Sequence, residues 1–269
     1  MMFGIFSDNE GDTWSAPKMV PLGPRMDWDS EDITVPPSWC NWQRPLRLGP
    51  NGTYLVGSSR HGRAPYDPPS KATTKSIFMR YDNIDENPKV DAIKIRCFAI
   101  NKDALKIAHP DAANICEEPS IVKLPDGRLF ALMRTSSGHP EWSQSRDQGE
   151  TWTQPQPLLD HDGGTAFLHP VSPCPMYDWK GCEAGNGTYF ALIHNAVCKD
   201  RGPLYLIAGK FNPQAEQPIE FSKPKLFAPR VKWNSFYTSY TILDGKGILW
   251  FPDVKFYLLG RVIGDEWFQ

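Results

Sequence analysis

The sequence predicts an all-β protein assembled from repeated antiparallel hairpin units. Three observations carry that prediction. Aromatic side chains are abundant, with 10 Trp, 9 Tyr and 14 Phe, and they sit beside 26 Pro and 21 Gly, a balance that suits many short strands joined by tight turns. A turn phrase recurs four times along the chain, and an octapeptide recurs twice.

The turn phrase reads Asn51-Gly52-Thr53-Tyr54-Leu55-Val56, Asp126-Gly127-Arg128-Leu129-Phe130-Ala131, Asn186-Gly187-Thr188-Tyr189-Phe190-Ala191 and Asp244-Gly245-Lys246-Gly247-Ile248-Leu249. Asn-Gly and Asp-Gly supply the positive φ angles of a tight hairpin, and an apolar strand follows each pair. The starts are spaced by roughly 60–75 residues, somewhat longer than a typical four-stranded blade. For the same reason the two Asn-Gly-Thr sequons read as turns rather than glycosylation sites. No helical period runs beyond about three turns. The repeats therefore predict a β-propeller, with one domain over residues 1–269. Residues 65–74 read as a surface loop, and residues 82–115 as a hairpin with a long connection.

The octapeptide is Ser145-Arg146-Asp147-Gln148-Gly149-Glu150-Thr151-Trp152, and it returns as Ser7-Asp8-Asn9-Glu10-Gly11-Asp12-Thr13-Trp14. A short Asp or Asn side chain accepts backbone N–H groups within its own turn. Gly permits the left-handed residue, and the Trp anchors the turn in the blade below.

Other patterns narrow the function. Net charge is −2, which disfavours a nucleic-acid partner. No run of about 18 apolar residues exists, so no membrane span is expected. The opening MMFGIFSDNEGDTW lacks the pattern of a signal peptide. Cys40, Cys97, Cys116, Cys174, Cys182 and Cys198 form no CxxC pair, and the six histidines show no metal-ligand spacing. No metal and no cofactor is expected. His169 and His194 are read as structural residues.

The octapeptide resembles the Asp box, or BNR repeat, of the exo-α-sialidases (neuraminidases), and the likeness extends over nearly the whole chain. The resemblance implies a sialidase-type propeller, six-bladed when complete, with about five blades here. In that family the boxes lie at hairpin turns away from the active site. A box at residue 7 leaves no room for a preceding blade, so an N-terminally truncated chain is expected. The first arginine of the carboxylate-binding cluster and the aspartate acid/base would lie in that blade, and this fragment would be inactive alone. Arg44 and Asp67 are poor stand-ins, because Arg44 follows the first box and Asp67 sits in the turn context Tyr66-Asp67-Pro68. The full-length protein would be secreted or periplasmic.

Four residues follow from the same resemblance. Glu118, in Cys116-Glu117-Glu118-Pro119, precedes a strand, the Asp126-Gly127 turn and a returning strand that ends at Arg134. That phrase implies that Glu118 partners the nucleophile and that Arg134 grips the substrate carboxylate. Arg201, opening Arg201-Gly202-Pro203-Leu204, is implied as a further carboxylate-binding arginine. Tyr237 in Phe236-Tyr237-Thr238-Ser239 is the implied nucleophile, with Tyr240 as the fallback.

The chemistry fits without the family. Arginine offers a planar fork of donors matched to a carboxylate. A phenol with its ordinary pKa near 10 is a poor nucleophile until a carboxylate takes its proton. A neutral Tyr–Glu couple also avoids setting a bare carboxylate against an anionic sugar. A rim ion pair explains Glu118 and Arg134 equally at this level, and a blade aromatic explains Tyr237.

The predicted function is exo-α-sialidase-like retaining hydrolysis of a terminal sialic acid on a sialylated or other acidic glycan. A propeller acting on another acidic sugar, as hydrolase or lyase, and a non-catalytic glycan-binding propeller remain as alternatives. A lyase would place His194 rather than Glu118 beside Tyr237.

Overall fold

The computed structural model describes residues 2–20, 23–50, 52–62, 73–109, 113–180, 186–194, 201–229, 237–253 and 256–269. Asn51, Asp67, Cys182 and Cys198 lie outside the described residues. Among the described residues there is no α-helix, and the strands form five antiparallel sheets.

The first sheet is a ribbon of β1 (Met2–Gly4) and β2 (Lys18–Val20). The second contains β3 (Ser38–Cys40), β4 (Leu46–Arg47), β5 (Tyr54–His61), β6 (Thr74–Tyr81) and β7 (Ile95–Phe98). Both β3 and β4 pair with β5. The third is the meander β8 (Cys116–Lys123), β9 (Leu129–Thr135), β10 (Glu141–Ser145) and β11 (Gln156–Pro157). The fourth holds β12 (Met176–Asp178), β13 (Thr188–His194), β14 (Leu204–Phe211), β15 (Ile219–Phe221) and β16 (Lys225–Ala228). The fifth is β17 (Ser239–Leu243), β18 (Lys246–Asp253) and β19 (Tyr257–Ile263). Four sheets are propeller blades of three to five strands, one fewer than the expected count of about five, and the first sheet is only a two-stranded ribbon. The expected hairpin over residues 82–115 is instead the single strand β7 with three 3-10 turns.

The cores lie between neighbouring blades. Leu55 and Phe78 of the second sheet pack with Leu129 and Met133 of the third. Phe130 and Trp142 pack with Tyr189 and Ile207 of the fourth. Phe190 and Leu206 pack with Tyr240 and Leu249 of the fifth. Each fully buried side chain of this size stabilises the fold by roughly 2 kcal/mol, so the blades hold one another by apolar contact rather than by shared ladders.

Gly52, Gly127, Gly187 and Gly245 all have positive φ, as the turn phrase requires. Asp244 joins Gly245 in the left-handed region at φ 49°, the geometry of a two-residue hairpin turn. Gly127 and Gly245 link the first two strands of their blades, between β8 and β9 and between β17 and β18. All four turns therefore lie at one end of the molecule. Residues that precede an inner strand or end the returning strand lie at the other.

The two octapeptides form the same self-capped turn. Asp147 Oδ1 accepts the Ser145 hydroxyl at 2.8 Å and the Thr151 N–H at 2.9 Å, and Gly149 N–H donates to Ser145 Oγ at 2.9 Å. In the first copy Asn9 Oδ1 accepts Ser7 Oγ and Thr13 N–H, both at 2.9 Å. Their tryptophans differ. Trp152 stacks on Phe78 with ring centroids 3.8 Å apart, whereas Trp14 is 59% exposed.

Candidate functional site

The site begins with an irregularity in β8. Glu117 pairs with Arg134 and Ser120 with Leu132, so Glu118 and Pro119 together face Met133. This is a β-bulge, and a proline without an N–H suits it. Glu118 has φ 53°, a left-handed value that a residue before proline rarely adopts. Its N–H donates to Ser59 Oγ at 2.7 Å, tying β8 to β5 of the next blade. Gly57 on β5 makes the approach possible, because a Cβ there would stand 2.4 Å from the Pro119 ring.

The bulge aims the Glu118 carboxylate at two partners. Oε1 accepts the Tyr237 hydroxyl at 2.9 Å. Oε2 accepts Arg134 Nη1 at 3.2 Å. Arg134 Nε also lies 3.2 Å from Glu117 Oε1, an ion pair by distance in which the N–H is not aligned for a hydrogen bond. The Arg201 guanidinium stands 5.8 Å from the centre of the Tyr237 ring. Trp42 meets the same ring edge-on at 5.5 Å. The four residues read from the sequence thus come together at the end opposite the Gly turns. Glu117 and Trp42 join them, and neither stands in a motif that marks a role.

Electrostatics keep the phenol protonated at rest. Burial raises the Tyr237 pKa, and the Glu118 charge and its hydrogen bond raise it further, against the pull of Arg134 and Arg201. Burial also works against the charge of Arg134, yet Glu118 and Glu117 outweigh it and its pKa is raised. Glu117 is raised by burial first, with Arg134 opposing.

His169 and His194 pack together, their rings 5.3 Å apart, both buried. The His194 N–H donates to His169 Nδ1 at 3.1 Å, so the His169 proton sits on Nε2 and donates to the Ser172 carbonyl at 2.8 Å. Burial lowers the His169 pKa to about 4, with the fields of Arg134 and Arg201 adding to the effect. The group facing the Tyr237 hydroxyl is Glu118. Tyr240, the fallback, donates instead to the Trp179 carbonyl at 2.6 Å, and burial pushes its pKa up to about 12.

A cavity of about 390 Å³ is lined by Trp42, Gln43, Arg44, Tyr177, Asp178 and Tyr240 among others, and by none of Glu118, Arg134, Arg201 and Tyr237. An open cleft beside Tyr237 is walled by Trp42, Trp250 and Leu258. Among the described residues no helix is long and apolar enough to cross a membrane.

The fold is a propeller of the sialidase structural class. No family model and no curated protein matches the chain. Among solved structures it is similar to the NanB sialidase of Streptococcus pneumoniae, at 16% identity and a TM-score of 0.57, over 92% of this chain and 32% of that one. It is similar to the intramolecular trans-sialidase of Ruminococcus gnavus, at 18% identity and a TM-score of 0.59, over 92% of this chain and 45% of that one. A protein of unknown function from Dyadobacter fermentans is likewise similar, at 15% identity and a TM-score of 0.60, over 97% of this chain and 63% of that one. The chain spans a third to a half of the length of these two sialidase structures.

Proposed function

We propose that this chain carries the carboxylate-binding and nucleophilic half of an exo-α-sialidase-like glycoside hydrolase acting on a terminal sialic acid. The observation that carries the reading is the 2.9 Å hydrogen bond from Tyr237 to Glu118, whose other oxygen is held by Arg134. The likeness to sialidase structures supports the fold on which the reading stands.

Arg134 and Arg201 bind the sugar carboxylate by charge and by planar donor geometry. Glu118 takes the phenolic proton as Tyr237 Oη attacks the anomeric carbon. The glycosidic bond breaks with its electron pair leaving on the aglycone oxygen. That oxygen takes a proton from a general acid outside these four residues. Water then cleaves the Tyr–sugar bond from the side the aglycone left, and the configuration is retained. With Glu118 rather than His194 facing the phenol, a hydrolase is favoured over a His–Tyr lyase.

The test is release of a fluorogenic aglycone from a sialoside by a full-length version, together with calorimetric binding of free sialic acid to this chain. Tyr237→Phe and Glu118→Gln are expected to keep binding and to lose about 10²–10⁴-fold in kcat. Equal release by wild type and Tyr237→Phe sinks the reading. So does the absence of both release and saturable binding.

A further inference from the structure

Adjacent strand residues point to opposite faces of a sheet. Glu117 and Glu118 break that rule, for both reach one guanidinium, at 3.2 Å each. The bulge at Glu118-Pro119 and the left-handed Glu118 backbone make the double contact possible. A left-handed non-glycine residue is strained, and it persists where surrounding contacts impose it. Tyr237 needs Glu118 alone, so the proposed reaction leaves Glu117 unused.

Glu117 is itself anchored. The Thr74 side chain lies beside its carboxylate and favours its charge, and Thr74 Oγ1 accepts the Cys116 N–H at 3.1 Å. Thr74, Cys116 and Glu117 are all buried. The charged groups around it are Glu118 and Arg134, with Arg201 beyond, and the thiols of Cys40 and Cys116 stand nearby. A fixed line thus runs from β6 through Thr74 and Glu117 to the Nε edge of Arg134.

We propose that Glu117 is a positioning residue whose carboxylate fixes the Arg134 guanidinium in the orientation that receives a substrate carboxylate. The inference rests on the proposed sialic-acid reading for its ligand and on geometry for the rest. Glu118 occupies Nη1 and Glu117 faces Nε, so the guanidinium plane is defined by two points before any ligand arrives. A guanidinium held in this way binds the ground state and the transition state alike. Its loss therefore raises KM and spares kcat.

The experiment compares Glu117→Gln with Glu117→Ala. Both remove the charge, so their difference isolates the contact to Arg134. Binding of sialic acid to the chain is measured by calorimetry, and the Arg134 Nε–Hε signal is followed by nitrogen-15 NMR without ligand. Glu117→Ala is expected to bind about tenfold more weakly than Glu117→Gln. In any hydrolysis assay KM should rise by a similar factor with kcat held within about twofold. The Arg134 signal should stay resolved in wild type and Glu117→Gln and broaden in Glu117→Ala. Thr74→Val cuts the same line further back and should reproduce the weaker binding if Glu117→Ala does not fold. Equal binding by the Gln and Ala variants, with the Arg134 signal unchanged, overturns the proposal and leaves the sialic-acid reading standing. Failure of the wild type to bind sialic acid overturns that reading and removes the ligand from this proposal, while the NMR signal still reports whether Glu117 holds Arg134.

Discussion

The backbone N–H of Glu118 donates to the hydroxyl of Ser59 at 2.7 Å, joining two blades at the point where the candidate acid turns toward the phenol. Ser59 is fully buried. Ser59→Ala leaves a buried N–H unpaired beside a left-handed residue. We expect a loss of about 1–3 kcal/mol in urea unfolding, and weaker alignment of Glu118 on Tyr237. Unchanged stability would show that β8 holds its bulge without the bond.

Tyr237 offers a direct electrical test. Its phenol is raised by burial and by the Glu118 charge. Removing a negative neighbour eases the loss of a proton, so the ionisation midpoint should move down in Glu118→Gln. The measurement is the tyrosinate absorbance difference, with Tyr237→Phe subtracted to isolate one phenol among nine. A midpoint that stays put or rises would mean that Glu118 does not govern the phenol.

Asp178 reverses the usual carboxylate behaviour. It is 5% exposed, it accepts the Lys180 N–H at 3.1 Å, and burial raises its pKa to about 6. A folded pKa above the unfolded one gives stability that is complete below about pH 3.9 and lost as pH rises through about 6. Asp178→Asn keeps the acceptor and removes the charge. It should stabilise the fold by about 1–3 kcal/mol at pH 7 and leave it nearly unchanged at pH 4, read from urea midpoints at both values.

The paired octapeptides predict unequal mutants from a shared motif. Trp152 stacks on buried Phe78, so Trp152→Ala should cost about 3 kcal/mol in thermal or urea unfolding. Trp14, mostly in solvent, should tolerate alanine within about 0.5 kcal/mol. Equal losses would mean that the first turn is anchored in solution as the second is.

These contrasts mark what the chain discloses before folding. Glu118 and Arg134 were legible because a hairpin with a defined turn brings its two far ends together. Tyr237 came from the family resemblance of Phe236-Tyr237-Thr238-Ser239 and not from any local signal. Glu117 was visible only as a second acid, because its role depends on a bulge that no periodicity announces. Trp42 sits in Trp39-Cys40-Asn41-Trp42, where nothing local says which indole will meet Tyr237. The exposure of Trp14 depends on what packs beside its turn, which an octapeptide does not encode.

The Gly turns and the cluster of Tyr237, Glu118 and Arg134 lie at opposite ends of the blades. Beside the Gly127 and Gly245 turns Pro125 and Lys246 are exposed, and both turns sit across the blades from Tyr237. A dye, a surface tether or a fused domain placed there would leave the open cleft beside Tyr237 turned toward solution.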